Sequence, residues 1–213
     1  MDNLKTPISE KYKNPDLLIN SELPTIKKDI PWLHFILDNF IEVAYFKQFQ
    51  EAILSKQHSF SIQENDPNQV QFAVLEYIPL AKVFYSIEFK SILETLSNTK
   101  LTINTRNYVQ LRHMDPDSPE FPPHIDDMGV RSVVALYYLS PNWQESFGGQ
   151  LCLHQSEFGN EDKTVFINPI ENRLVIFFSD DTNWHSIKKV YNWERYTILS
   201  EWLVKEKNKP IPL

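Results

Sequence analysis

From residue 101 onward the chain is a succession of short, β-prone apolar runs separated by turns. The runs are TINTRNYVQLRH, RSVVALYYLS, GGQLCLHQ, KTVFINP, NRLVIFFS, HSIKKVY and RYTILSEWLV. Segments this short bury their apolar faces only by pairing into sheets that pack on a second layer. Ahead of them the periodicity is helical. In IEVAYFKQFQEAILS, Phe46, Phe49 and Ile53 fall at i, i+3 and i+7. PLAKVFYSIEFKSILETLSN reads as a second helix, opened by Pro79 and packed through Phe89, Ile92, Leu93 and Leu96. PWLHFILDNFI reads as a short strand leading into the first helix, QFAVLEYI as a strand and SIQENDPNQ as a loop.

Two helices followed by about seven strands predict an α+β, mainly β protein, a double-sheet jelly roll with N-terminal supporting helices. A length of 213 residues suits one domain with a sizeable core. Residues 1–30, polar and proline-punctuated, are expected to form a partly ordered N-terminal extension. Residues 31–213 then form the single domain, with the jelly-roll core at about 101–204.

Charge and cysteine content narrow the function classes. A formal charge of −7 argues against a nucleic-acid-binding surface, which needs a basic stripe. The single cysteine, Cys152, permits no internal disulfide and no zinc–cysteine site, which suits a reducing compartment. MDNLKTPISEKYKNPDLLINSE lacks the apolar core of a signal peptide, and no stretch is long and apolar enough for a membrane helix. The expectation is a soluble cytoplasmic protein. All four glycines (Gly129, Gly148, Gly149 and Gly159) fall between 129 and 159, which marks that segment as the one with special turn geometry.

Within FPPHIDDMGVRS, His124 and Asp126 stand two apart, just after a rigid Pro-Pro. On an extended strand such positions share a face. The pair alone is weak, because a chain with 6 His and 12 Asp produces it by chance in about one case in three. A third ligand strengthens it: His185, in SDDTNWHSIKKV, opens another strand. Two histidines and one carboxylate make the facial triad of non-haem Fe(II) oxygenases. Ten residues past His185, Arg195 opens an apolar strand, where a guanidinium needs a partner. A dicarboxylate that chelates iron at one end and meets Arg195 at the other supplies one, and Thr197, on the same face, adds a hydroxyl. A structural salt bridge from Arg195 to an acidic residue is the competing reading.

These pieces, in their order and spacing, resemble the Fe(II)- and 2-oxoglutarate-dependent dioxygenases. The likeness is to the prolyl-hydroxylase-like group, which includes the hypoxia-sensing prolyl hydroxylases and their bacterial relatives. It rests on HID, RSVVALYYLSPNW, GGQL, NRLVIFFSDDTNWHSI and ERYTILSEW and covers about residues 105–204. The resemblance implies a double-stranded β-helix that uses Fe(II), 2-oxoglutarate and O₂, with ascorbate supportive. His124, Asp126 and His185 fall on the catalytic iron ligands, and Arg195 on the residue that binds the distal carboxylate of 2-oxoglutarate. Tyr138 falls on a tyrosine that hydrogen-bonds the same carboxylate. Leu136, Leu151 and Ile187 fall on apolar walls, and Arg131 on a rim arginine that contacts substrate.

The chain departs from the family in LRHMDPDSPEFPP, which lacks the usual Tyr-x-x-Gly turn. Tyr108, Gln110, Arg112 and His113 are the candidates to replace the family tyrosine that contacts 2-oxoglutarate there, and His113 is also a candidate substrate contact. The implied reaction is hydroxylation of an unactivated C–H with release of succinate and CO₂. The implied acceptor is a prolyl residue or a proline-like substrate. The alternatives are a free amino acid, a glycan or another small metabolite, or a non-catalytic jelly roll acting as a sensor or scaffold. Asp126 favours hydroxylation over halogenation, since halogenating relatives lack the carboxylate. The proline-rich loop 114–123 is a candidate lid, and 155–163 a candidate wall. Cys152 and His154 are expected in core or rim positions.

Overall fold

The computed structural model describes residues 6–62, 70–103, 109–126, 131–158 and 163–205. Short helical turns come first: α1 (Glu10–Lys13), α2 (Pro15–Leu17), a π-type turn over Leu18–Glu22 and α3 (Leu23–Ile26). Next are β1 (Lys27–Lys28), β2 (His34–Asp38), α4 (Val43–Leu54), β3 (Ser61–Ile62), β4 (Gln71–Val74), α5 (Ile78–Phe84) and α6 (Ile87–Ser97). The remaining strands are β5 (Leu101–Ile103), β6 (Gln110–Met114), β7 (Phe121–His124), β8 (Ser132–Tyr138), β9 (Leu151–Leu153) and β10 (Val165–Ile167), then β11 (Arg173–Ser179), β12 (His185–Ile187) and β13 (Arg195–Val204).

The strands form two antiparallel sheets, a jelly roll without full barrel closure. The larger runs β1-β2-β11-β8-β13-β6-β4-β3, with β5 also on β13, and the smaller runs β10-β9-β12-β7. Strict alternation along the central strands divides the core in two. On β8, Val133, Ala135 and Tyr137 face the helices, while Val134, Leu136 and Tyr138 face the smaller sheet. On β11, Leu174, Ile176 and Phe178 face the helices, and Val175 and Phe177 face inward. The helices therefore back the larger sheet and leave the space between the sheets for the site. Among the described residues no helix is long and apolar enough to cross a membrane.

Two elements differ from the sequence-based expectation. The helix expected from Pro79 onward is two helices, because Ser86 takes an extended backbone and its Oγ accepts from Phe89 N at 3.0 Å, capping α6. Residues 6–28 do not form an extension beside the domain. Ile8, Tyr12, Leu18 and Ile26 are buried in the helix-side core, and the Tyr12 hydroxyl donates to Asp38 O at 2.8 Å. β1 pairs with β2, which pairs with β11, so β1 and β2 complete one edge of the larger sheet. The apolar anchors there are too widely spaced to stand out from a polar background.

Candidate active site

His124 ends β7, the edge strand of the smaller sheet, where Pro122 and Pro123 sacrifice few ladder hydrogen bonds. Asp126 lies two residues past the strand end, and His185 opens β12 directly opposite His124 in register. His124 Nε2 is 3.6 Å from Asp126 Oδ1, and His185 Nε2 is 3.5 Å from Asp126 Oδ2. All three ligand atoms lie within 4.8 Å of one another.

The second ring nitrogens fix the tautomers. His124 Nδ1 is 2.9 Å from Pro122 O, and His185 Nδ1 is 3.0 Å from Asn183 O. A carbonyl only accepts, so each Nδ1 carries a proton and each Nε2 is the nitrogen turned to the common point. Burial lowers the His185 pKa against the opposing pull of Asp126, so the ring is neutral and competent as a ligand. Burial alone would raise the Asp126 pKa. Its hydrogen bond with His124 and the charges of His185, His124 and Arg112 outweigh burial and bring it to about 2. Two imidazoles and one carboxylate, converging from two strands, suit Fe(II).

The triad opens into a cavity of about 450 Å³ between the sheets. Leu136, Leu151 and Ile187 line it, as the sequence suggested, and Arg195 and Thr197 supply its polar pole. Arg195 is only 2% exposed. Its Nε donates to Gly149 O at 3.0 Å and its Nη1 to Thr197 Oγ1 at 3.4 Å. No acidic residue stands among these partners, so the salt-bridge reading is not what the structure shows. The glycine is required here. Gly149 has φ +72°, and a Cβ on it would stand 3.3 Å from Arg195 Cδ.

Arg195 Nη2 and the Tyr138 hydroxyl are both buried without a hydrogen-bond partner among the described residues. The Tyr138 ring lies 5.2 Å from the guanidinium carbon. Burial raises the Tyr138 pKa against the opposing charge of Arg195, so the phenol keeps its proton and remains a donor. A buried donor of Arg195 awaiting an acceptor on the wall of the cavity that holds the ligand triad, with a second on the neighbouring Tyr138, fits a metal-chelating dicarboxylate.

The two tentative substrate contacts are not brought to this cavity. Arg131 lies over the Phe178 ring, 3.9 Å from its centroid, and reaches toward Asp180 at 4.0 Å. His113 falls on the opposite face of β6. It stacks on Phe60 at 5.0 Å and packs on Tyr196 at 4.5 Å, and its Nδ1 meets Gln71 Oε1 at 3.0 Å. The alternation that turns His113 away turns Gln110 and Arg112 inward, and both line the cavity. Of the other candidates for that wall, Tyr108 lies outside the described residues.

The 114–123 loop is tied down. Asp115 Oδ1 accepts from Ser118 N at 2.7 Å, and Lys189 Nζ donates to Pro116 O at 2.6 Å and to Ser118 O at 2.7 Å. The candidate wall at 155–163 is described only in part. Cys152 is buried, and His154, on the outer face of the smaller sheet, meets Ser186 Oγ at 2.7 Å and Thr164 Oγ1 at 2.9 Å. Glu201 was not anticipated from sequence. It lines the cavity because it continues the inward series Arg195, Thr197, Leu199 along β13. That i+2 series was the available signal.

Residues 109–203 match the family model of the 2OG-Fe(II) oxygenase superfamily. The chain carries a 2OG-Fe(II) oxygenase domain. Oxygenases of this superfamily use Fe(II), 2-oxoglutarate and O₂, and the triad described above lies inside the matched segment. A search of curated protein sequences finds no match. Among solved structures, the chain is similar to a prolyl hydroxylase from Trichoplax adhaerens, solved with a hypoxia inducible factor oxygen degradation domain peptide fragment. The two share 27% identity over 92% of each chain, with a TM-score of 0.68. A Pseudomonas putida prolyl-4-hydroxylase shares 15% identity over 87% of this chain and 96% of its own, with a TM-score of 0.63. A prolyl 4-hydroxylase structure from Phytophthora capsici shares 22% over 96% of this chain and 68% of its own, with a TM-score of 0.64. The last two likenesses concern the fold alone.

Proposed function

We propose that this oxygenase hydroxylates an unactivated C–H of a proline-type acceptor, with His124, Asp126 and His185 as the iron ligands. Arg195, Thr197 and Tyr138 bind the distal carboxylate of 2-oxoglutarate. The observation that carries this reading is Arg195 Nη2, a buried donor without a partner among the described residues on the wall of the cavity that holds the triad, with the equally unpartnered Tyr138 hydroxyl on a ring 5.2 Å from the guanidinium carbon. When bound, the iron supplies oxygen activation: 2-oxoglutarate loses CO₂ and becomes succinate, taking one atom of O₂, and the other atom converts C–H to C–OH.

The chain's own residues do the positioning. Pro122 O and Asn183 O hold the two imidazoles by their Nδ1–H groups, so both Nε2 atoms stay aimed at one point. Arg195 fixes one end of the co-substrate, so the other end meets the triad in a single orientation. Leu136, Leu151, Phe177 and Ile187 keep the cavity wall apolar and exclude water from the reacting centre.

The proline-type acceptor rests on the similarity to prolyl hydroxylases. A peptide or small-molecule acceptor, a cytoplasmic location and no nucleic-acid partner complete the proposal, with the acidic charge and the buried lone Cys152 in support. The test is mass spectrometry of acceptors incubated with Fe(II), 2-oxoglutarate and ¹⁸O₂. The expected product is a proline-type compound that has gained one labelled oxygen. Succinate release with no labelled product from any proline-type acceptor would move the substrate assignment elsewhere.

A further inference from the structure

The three ligands are not held alike. His124 and His185 stand in the smaller sheet, opposite each other in register. Asp126 lies in neither sheet, two residues past the end of β7. Connection to His124 alone leaves its carboxylate free to swing, because each intervening residue brings two soft backbone dihedrals. A further hold is needed to keep Asp126 Oδ1 and Oδ2 at 3.6 Å and 3.5 Å from the two Nε2 atoms.

The larger sheet supplies it. On β11, Val175 and Phe177 face the space between the sheets, and the period of two brings Ser179, the last residue of the strand, to the same face. Phe177 packs on His185, with ring centroids 5.1 Å apart. Ser179, 3% exposed, donates its hydroxyl to Asp126 O. Two successive inward residues of one strand thus meet two of the three ligands. Ser179 is itself fixed, since it pairs with Ser132 in the β11–β8 ladder. The turn that follows does the same for His185. Asp180 Oδ1 accepts from Thr182 N at 3.1 Å, Asn183 Nδ2 donates to Phe178 O at 2.8 Å, and Asn183 O accepts from His185 Nδ1.

Resting on the metal site proposed above, we propose that Ser179 is a positioning residue for the metal and acts through Asp126. Its hydroxyl fixes the Asp126 carbonyl and so the direction of the Cα–Cβ bond. The carboxylate then points to the place where the two imidazoles point before any ion arrives. An ion that meets a carboxylate already in place does not bear the cost of ordering a loose segment. Ser179 itself touches neither metal nor substrate. The alternative is a serine that only ties the two sheets together, whose loss lowers stability and leaves metal affinity unchanged.

The experiment uses the full chain with Mn(II) alone as the probe. Calorimetry gives the Mn(II) affinity, and thermal unfolding of the metal-free protein gives the stability. The variants are Ser179→Ala, Ser179→Thr, Asp126→Ala, the Ser179→Ala/Asp126→Ala pair and Ser200→Ala. Ser200 is the comparison: a buried hydroxyl on β13 that accepts from Trp202 Nε1 at 3.1 Å, on the helix side with Ile198 and Trp202. Ser179→Ala should weaken Mn(II) binding about tenfold or more, as loss of a group that orients a ligand does. Ser179→Thr, which keeps the hydroxyl, should bind as the wild type does. Ser200→Ala should lose stability and keep its Mn(II) affinity. Once Asp126 is alanine, adding Ser179→Ala should cost no further affinity, because the group it acts through is gone.

Unchanged Mn(II) affinity in Ser179→Ala overturns the inference, whatever its melting temperature. A full further loss on top of Asp126→Ala overturns it too. Where Ser179→Ala does not fold, Ser179→Cys, whose thiol is a weaker donor and a poor Mn(II) ligand, is put to the same comparison. Absence of Mn(II) binding by the wild type, or no loss in Asp126→Ala, is a different result and removes the metal site itself.

Discussion

Replacing Arg195 by methionine separates a ligand-binding arginine from a structural one, because the two roles predict opposite changes. The guanidinium is fully enclosed. Burial lowers its pKa from the ordinary arginine value, only partly offset by Tyr138, and its protein partners are Gly149 O and Thr197 Oγ1 rather than a carboxylate. Removing a buried charge that lacks an anion relieves about 1–4 kcal/mol. The lost Gly149 bond costs about 1–2 kcal/mol, so the ligand-free variant should lie between about 1 kcal/mol less and about 3 kcal/mol more stable than the wild type. At about 2–4 °C per kcal/mol for a chain of this size, its Tm should fall no more than about 4 °C, and most of the range is a rise of several degrees.

2-Oxoglutarate binding should move the other way. Two charge-assisted hydrogen bonds at about 1.5–3 kcal/mol each amount to roughly 3–6 kcal/mol, or about a hundred- to ten-thousandfold in Kd. The assays are thermal unfolding of the ligand-free protein and calorimetry of 2-oxoglutarate binding to the Mn(II)-loaded protein. A variant that melts well below wild type yet binds 2-oxoglutarate within threefold would show that Arg195 is a strut, and the reasoning would be wrong.

Other expectations follow from single positions. His34 is buried, with Nδ1 on Trp32 O at 2.9 Å, and its pKa is lowered, chiefly by burial, with Lys28 adding and Trp32 and Asp29 opposing. The unfolded chain therefore takes up this proton first, and stability should fall as pH drops below about 6.5, levelling off below the folded-state pKa. Urea unfolding at pH 7.5 and 5.5 should show a smaller loss for His34→Leu than for the wild type, and an equal loss would refute it. Gly148 has φ +68°, and a Cβ there would stand 2.0 Å from Lys189 O, so Gly148→Ala should cost more than about 1 kcal/mol. Because Gly149 O holds Arg195, the same variant should also weaken 2-oxoglutarate binding, measured by the same calorimetry. Asp126→Ala removes the only carboxylate of the triad and should weaken Mn(II) binding at least about tenfold. Unchanged affinity would place the metal elsewhere.

The metal triad was legible because its constraint is local and chemical. His-x-Asp after Pro-Pro and a distant histidine at a strand start limit the geometry whatever the rest of the chain does. The central strands were legible for the same reason, since RSVVALYYLS and NRLVIFFS leave little alternative to a buried strand. Facing was harder to read. Arg131 stands beside strand β8 and turns onto Phe178, while His113 is one residue from the cavity-facing Arg112 and points to the opposite side of the sheet. A one-residue change of face separates a wall residue from a packed one, and family position alone does not supply it. Glu201 was missed because it reads as a surface charge until the alternation from Arg195 is followed to the end of β13. The N-terminal turns were missed because Ile8, Tyr12, Leu18 and Ile26 reach the core singly, with no period to mark them.

The most direct test of the central claim is succinate formation from 2-oxoglutarate with Fe(II) and ascorbate under air, comparing the wild type with His185→Ala. The account predicts turnover by the wild type and its loss in the variant while the variant remains folded. Equal turnover by both proteins, or none by the wild type together with no binding of 2-oxoglutarate, would contradict it.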